Sequence, residues 1–328
     1  MPLSSATIKR LNAIPDLSVF VDVPLAAYTR FQIGGVATFL CEASDSEAFV
    51  QALSAVRELA LPQTLIGRGT NLVVSDAGFD GAVLRYTGSS ITEDGTIVRV
   101  ESGAILQDVV DYSIKRGLKG LETMTGIPGY LGGAVYGNAG AYGHSIQELI
   151  KEVRVTDGNR QISLCKDQCR FRYRDSIFKS RKDWVILSAD LEFSKDDPAH
   201  LGKTAAEIRA IRDVKYPPTM RCAGSIFKNV FFAELPARVQ DQIPPNLVRD
   251  GKVPSAWFLE QTGAKGIRRG DVQVASYHAN LIYNDGVGTA TDLVSVIEEL
   301  KQRVHDRFGF DLEEEIQYVG FEYATAPL

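Results

Sequence analysis

The sequence predicts an α+β protein, in which short apolar strands, a few amphipathic helices and glycine-dense loops are mixed without a regular βα alternation. Three observations predict it. Strand-like stretches a few residues long, apolar or alternating, recur at 37–40, 64–66, 72–74, 97–101, 152–155 and 184–187. A helical stripe of apolar residues spaced by three and four runs from Leu293 to Phe308. Between the strands lie glycine runs that are too apolar to be linkers.

Taken in order, Ala37-Thr38-Phe39-Leu40 reads as a strand, and Ser44 or Asp45 then caps a helix through Leu59, with Phe49, Leu53 and Val56 on one face. Thr64-Leu65-Ile66 reads as a short buried strand, Gly67-Arg68-Gly69-Thr70-Asn71 as a turn, and Leu72-Val73-Val74 as the next strand. Ile97–Glu101 is a further strand, and a helix from Leu106 to Arg116 ends at Gly117. Strand-like stretches follow at 152–155 and 184–187, and Tyr216-Pro217-Pro218 marks a break. The last helix starts at Thr291 and Asp292 and stops at Gly309. This order divides the chain into 1–86, 87–215 and 216–328.

At 328 residues and 45% apolar content, the chain has the length and composition of a soluble protein of two or three domains. A net charge of −5 gives no reason to expect nucleic acid or a membrane surface as partner. No stretch nears the roughly 18 apolar residues of a membrane span, and no apolar core stands behind a basic start, so no signal peptide is expected. Cys165 and Cys169 form a lone C-x3-C pair, and Cys41 and Cys222 stand apart. With four scattered histidines, this argues for reduced thiols in a cytoplasmic protein and against a metal site.

Two loops carry the functional signal. Gly67-Arg68-Gly69-Thr70-Asn71 can aim backbone N–H groups at an anion, yet it lacks the third glycine of a dinucleotide fingerprint and the Lys-Ser/Thr of a phosphate loop. The run Gly126-Ile-Pro-Gly-Tyr-Leu-Gly-Gly-Ala-Val-Tyr-Gly-Asn-Ala-Gly-Ala-Tyr-Gly143 holds seven glycines in eighteen residues, interleaved with apolar and aromatic ones. Such a backbone wall suits a flat ring or a pyrophosphate; dense packing is the competing reading.

Six pieces in order carry a resemblance: Thr29–Gly35, Gly67–Val74, Gly126–Gly143, Cys169–Lys179, Ala223-Gly-Ser-Ile-Phe-Lys-Asn229 and Leu312-Glu-Glu-Glu-Ile-Gln-Tyr-Val-Gly320. Together they resemble the UDP-N-acetylenolpyruvoylglucosamine reductases, whose FAD-binding fold is shared with relatives of vanillyl-alcohol oxidase. The resemblance implies a two-lobed FAD-binding fold (1–86 and 87–215) and a C-terminal α+β substrate domain (216–328). It implies non-covalent FAD, NADPH as reductant, and UDP-N-acetylglucosamine enolpyruvate as substrate, reduced to UDP-N-acetylmuramate for peptidoglycan. The cofactor-binding residues it implies are Gly67, Arg68, Gly69, Thr70 and Asn71, with Gly126, Ile127, Pro128, Gly129, Gly132, Gly133, Asn138, Ala139 and Gly140.

Reducing an enol ether that bears a carboxylate needs a hydride donor, a stabiliser of the growing enolate charge, and an acid. Hydride belongs to the flavin. By resemblance, Ser225 is the proton donor; without the motif it reads as a turn serine. Alternation would place Arg170, Arg172 and Arg174 on one face of a strand, and the Tyr-Arg-Asp-Ser match selects Arg174 for the substrate carboxylate, with Asp175 as its orienter. Glu313, Glu314 and Glu315 read as a solvated charge run, from which the family pattern selects Glu315; as a protonated donor it needs a raised pKa. Tyr173, Lys228, Asn229 and Lys265 match substrate-contacting positions, and Lys215, Arg221, Lys252, Arg268 and Arg269 add local positive charge suited to a diphosphate.

The chain departs from the pattern in places. No tyrosine-bearing insert lies between Phe193 and Tyr216, which places the chain in the subclass without that loop. Tyr130, Gly137 and Val230 stand where other residues are usual, and no histidine is placed for covalent flavin attachment. Two other functions compete: an FAD-linked alcohol oxidase or dehydrogenase of the same fold, and a nucleotide-sugar binder without catalysis.

Overall fold

The computed structural model describes residues 5–321. Compactness divides the chain into two units, one of residues up to 23, 37–68 and 80–214, the other of 24–36, 69–79 and 215 onward.

In the first unit, a four-stranded sheet runs in the order Ser18–Pro24, Val36–Ala43, Phe79–Tyr86, Gln63–Leu65. The helix Ser46–Glu58 buries Ala48, Phe49, Ala52, Leu53, Ala55 and Val56, one stripe at helical spacing. Asp45 caps it by accepting the Ala48 N–H at 2.8 Å, an interaction worth about 1 kcal/mol. The expectation of a buried strand at 64–66 fails in part. The strand ends at Leu65, which is 45% exposed, because it lies at the sheet edge; only Ile66 beyond it is buried.

The second sheet of this unit is antiparallel, in the order Gln161–Cys165, Ile150–Thr156, Val185–Glu192, Ile97–Glu101, Ile91–Asp94. Its central strand, Val185–Glu192, is buried at every position but the last. Val185 and Leu187 enter the core around Phe49, while Ile186, Ala189 and Leu191 enter the core around Val109 and Phe178. One strand thus supplies both cores, which is why Val185, Ile186 and Leu187 are apolar in succession rather than alternating. The helix Leu106–Lys115 stops at Gly117, where φ is 64°.

In the second unit, Arg268–Arg269, Val272–Val274 and Ile282–Asn284 form a three-stranded sheet. Against it packs the helix Ala290–Phe308, with Leu293, Val296, Ile297, Leu300, Val304 and Phe308 at most 1% exposed. Burying Phe308 alone is worth about 2–3 kcal/mol. The helix starts at Ala290, one residue before the Thr291 read from the sequence, and its cap is Thr289: Thr289 Oγ1 accepts the Asp292 N–H, and Asp292 accepts the Thr289 N–H. Asp76 also accepts the N–H groups of Ala290 and Thr291 at 2.7 and 2.9 Å, tying segment 69–79 to this helix. The strand Leu72–Val74 pairs in parallel with Gln317–Val319. Among the described residues, no helix is long and apolar enough to cross a membrane.

Candidate active site

Ser225 opens a segment held on both sides by backbone pairing. Ser225 bridges Leu281 and Phe227 bridges Glu314, both antiparallel. The Glu315 N–H donates to the Ile226 carbonyl at 2.7 Å, and the Lys228 N–H to the Glu313 carbonyl at 2.9 Å. This register brings the backbones of Ser225 and Glu315, remote in sequence, to neighbouring positions.

Asn280 fixes that segment and is only 3% exposed. Its Oδ1 accepts the N–H groups of Ile226 (3.1 Å) and Phe227 (2.9 Å), and its Nδ2 donates to the Phe227 carbonyl (2.9 Å) and to Ser255 Oγ (2.7 Å). All four hydrogen-bonding positions of the amide are used, so its orientation is determined. On the other side, the Tyr216 hydroxyl lies 3.1 Å from Ser225 Oγ, and either oxygen can donate. His278 stands beside Tyr216, with ring centres 6.3 Å apart. Its Nδ1 accepts the Asn280 N–H at 3.2 Å, which leaves the proton on Nε2 of a neutral ring. Burial, with the Lys215 charge second, pushes its pKa down to about 4.

The three adjacent glutamates are not one solvated run. Glu313 is exposed and ion-paired with Lys228. Glu314 is mostly buried, paired with Lys301 at 2.9 Å and accepting the Tyr318 hydroxyl. The Glu315 carbonyl accepts Asn71 Nδ2 at 2.9 Å, and the Asn71 carbonyl accepts the Gln317 N–H at 2.9 Å. The Asn71 side chain therefore anchors the Glu315 backbone.

In the first unit, Arg170, Arg172 and Arg174 do not share a strand face. Arg170 and Arg174 have φ of 48° and 53°, left-handed values that break an extended alternation. Arg172 and Asp175 exchange two backbone hydrogen bonds (3.0 and 3.1 Å) that close a turn with Tyr173 and Arg174 at its tip. Arg174 Nη2 donates to the Gly140 carbonyl at 2.9 Å, and its guanidinium carbon lies 5.5 Å from the centre of the Tyr173 ring. Lys179 Nζ donates to the Arg174 carbonyl at 2.7 Å. Asn138, 2% exposed, donates from Nδ2 to the Arg172 carbonyl at 2.8 Å, so the second glycine loop holds the arginine turn.

That loop is built rather than slack. Leu131–Tyr136 is a short helix, and Gly140–Ala141 pairs with His144–Ser145. The Gly132 N–H donates to the Ser102 carbonyl at 2.8 Å and the Leu106 N–H to the Gly129 carbonyl at 3.0 Å. Ile127 and Ala139 are half-buried, whereas Pro128 is exposed. A Cβ placed on Gly133 meets nothing within 4 Å, so space lies over this face. Gly69 is the opposite case, since at φ 58° its Cβ would stand 1.9 Å from the Tyr28 carbonyl oxygen. Gly67 and Thr70 are half-buried and Arg68 is exposed. Just before Gly126, the buried hydroxyls Thr123 Oγ1 and Thr125 Oγ1 have no hydrogen-bond partner among the described residues. Buried unpaired hydroxyls are costly, and a bound group with polar edges would satisfy them. Open glycine backbone in this loop and orphaned hydroxyls just before it fit a flavin dinucleotide.

The basic residues read as diphosphate candidates are largely engaged. Lys265 pairs with Glu260 at 2.8 Å, Arg268 with Asp271 and Asp285, and Arg269 with Glu299 at 2.6 Å. Arg221 donates to the Gly286 carbonyl and Lys252 to that of Asp250. Asn229 is half-buried beside Lys228. Sequence reasoning missed Asn280, Tyr216 and His278. Asn280 carried a signal, as a lone amide inside the apolar run Ala279–Ile282; Tyr216 was read only as part of a proline break.

A family model described as FAD binding domain matches residues 37–164, and one described as UDP-N-acetylenolpyruvoylglucosamine reductase, C-terminal domain, matches 216–319. The chain is 53% identical over 311 residues to the UDP-N-acetylenolpyruvoylglucosamine reductase of Solibacter usitatus, covering 95% of this chain and 100% of that protein. It is 34% identical to the enzyme of that name from Rubrobacter xylanophilus, covering 91% and 94%. The crystal structure of UDP-N-acetylenolpyruvylglucosamine reductase from Thermus caldophilus superposes with a TM-score of 0.72 at 27% identity, covering 92% of this chain and 98% of that one. With both domain models matched in order and close identity along almost its whole length, the chain belongs to the UDP-N-acetylenolpyruvoylglucosamine reductase family.

Proposed function

We infer that Ser225, Arg174 and Glu315 carry the chemistry of the family reaction in this chain. The protein is an FAD-containing oxidoreductase that uses NADPH to reduce UDP-N-acetylglucosamine enolpyruvate in peptidoglycan precursor synthesis. The alcohol-oxidising and non-catalytic readings lapse with that membership. The cytoplasm is the location that goes with this activity and with four free cysteines.

The observation that supports the residue assignment best is the fixed segment around Ser225, paired to the segment 313–315 and hydrogen-bonded to Tyr216. The glycine loops, with Thr123 and Thr125, would hold FAD, which when bound and reduced supplies the hydride. Ser225 gives its proton to the substrate carbon next to the carboxylate. A serine hydroxyl alone is a weak acid, and the Tyr216 hydroxyl assists by donating to Ser225 Oγ as its proton leaves. Arg174, whose guanidinium also donates to the Gly140 carbonyl, stabilises the substrate carboxylate, where charge grows. Glu315, as a neutral acid, donates a hydrogen bond to the same developing charge. Tyr173, Lys228, Asn229 and Lys265 are the substrate-binding set.

The test is anaerobic flavin absorbance. NADPH should bleach the bound flavin, and enolpyruvyl-UDP-N-acetylglucosamine should restore the oxidised band. A flavin that bleaches and stays reduced when that substrate is added contradicts the reading.

A further inference from the structure

Tyr130 departs from the family pattern, and its surroundings explain what it does. It sits at the start of the second glycine loop, where its carbonyl accepts the Ala134 N–H at 3.1 Å. Its ring lies against the first loop: a Cβ built on Gly67 would be 3.4 Å from the ring edge. Arg85, on the strand Phe79–Tyr86, joins the two loops. Arg85 Nη2 donates to the Tyr130 hydroxyl at 2.8 Å, and Arg85 Nε donates to the Gly67 carbonyl at 3.2 Å. The guanidinium carbon stands 5.6 Å from the ring centre. Glu42, on the neighbouring strand Val36–Ala43, forms an ion pair with the same arginine, whose side chain is only 19% exposed.

We propose that Tyr130 and Arg85 form a fastener that locks the Gly67 turn to the Gly126–Gly143 loop and so preorganises the flavin site. The inference rests on the reading that these two loops hold FAD. Glycine-rich backbone is entropically costly to order, so loops already fixed in the free protein bind more tightly than loops that must be ordered on binding. A small residue at position 130 could make neither the ring contact nor the hydrogen bond. Glu42 holds the guanidinium in place, which makes it part of the fastener without touching either loop.

The test follows flavin release from the FAD-loaded protein on dilution, read as the rise of free-flavin fluorescence, with Tyr130→Phe, Tyr130→Ser and Gly133→Val. Tyr130→Phe removes only the hydroxyl partner of a charged donor and should raise the FAD dissociation constant about tenfold. Tyr130→Ser removes the ring as well and should raise it further. Amide hydrogen exchange at Arg68 and Gly69 in the flavin-free protein should speed up in both, which a change of flavin contact alone would not produce. Gly133→Val fills the open face without touching the fastener and reports on the loop assignment itself. If Gly133→Val weakens FAD binding while both Tyr130 variants bind and exchange like the unmodified protein, the fastener is refuted. If Gly133→Val also leaves binding intact, it is the loop assignment that fails, and the inference falls with it.

Discussion

Asn280→Ala is the sharpest structural perturbation available near Ser225. The side chain makes four hydrogen bonds in a site 3% exposed. Two of its partners keep an alternative: the Ile226 N–H still reaches the Asn280 carbonyl at 3.2 Å, and the Phe227 carbonyl still accepts from Ser255 Oγ at 3.3 Å. The Phe227 N–H has no other partner among the described residues, so one buried donor is orphaned at about 1–3 kcal/mol, and the lost bond to Ser255 adds about 1 kcal/mol. The expected loss is therefore about 3 kcal/mol, seen in urea unfolding of the FAD-loaded protein as a lower midpoint at unchanged slope. Because residues 225–227 are the segment held, kcat should fall about tenfold to a hundredfold, as for a reacting group displaced by less than an ångström or so. Flavin reduction by NADPH should be untouched. An alanine variant within 0.5 kcal/mol of the unmodified protein, or one destabilised as expected but with full kcat, refutes the claim that Asn280 positions Ser225.

Three more predictions follow from the same geometry. Glu315→Gln keeps a neutral hydrogen-bond donor, so it should retain most of the activity that Glu315→Ala loses; steady-state kcat of the pair decides it, and equal losses contradict the neutral-donor role. Asn138→Ala removes the bond to the Arg172 carbonyl beneath the Arg174 turn and should cost about 1–2 kcal/mol while raising the substrate KM, an effect absent if that turn does not meet substrate. His278, held neutral with its pKa lowered to about 4, takes up a proton later in the folded than in the unfolded chain. Stability should thus be full above the ordinary histidine value near 6.5 and fall as pH drops toward 4, by at most about 1.4 kcal/mol per unit and less where solvent reaches the ring. His278→Gln should flatten that slope in unfolding curves, and an unchanged slope would show that another group sets it.

What was legible in the sequence was whatever is local. The stripe from Leu293 to Phe308, the Asp45 cap and the stop at Gly117 follow from spacing and backbone chemistry within a few residues, and the structure has them. Leu65 was misplaced because an edge strand and a covered strand have the same short apolar sequence, and only sheet order tells them apart. The Arg170–Arg174 alternation misled because two residues adopt left-handed φ, which no propensity of arginine announces. The motifs found Ser225 and Glu315, but not what aligns them. Asn280, Asn71 and Tyr216 act through partners 9 to 244 residues away, and such contacts appear only once the chain has folded. The glutamate run shows the same limit: three identical neighbours acquire three environments, two of them set by Lys228 and Lys301.

The central claim, that Ser225 supplies the proton, is tested most directly by stopped-flow absorbance of Ser225→Ala with bound FAD in the absence of oxygen. The account predicts bleaching by NADPH at the rate of the unmodified protein, followed by reoxidation with enolpyruvyl-UDP-N-acetylglucosamine that is slower by several orders of magnitude. Reoxidation at an unaltered rate would contradict it, and the proton would have to come from another group.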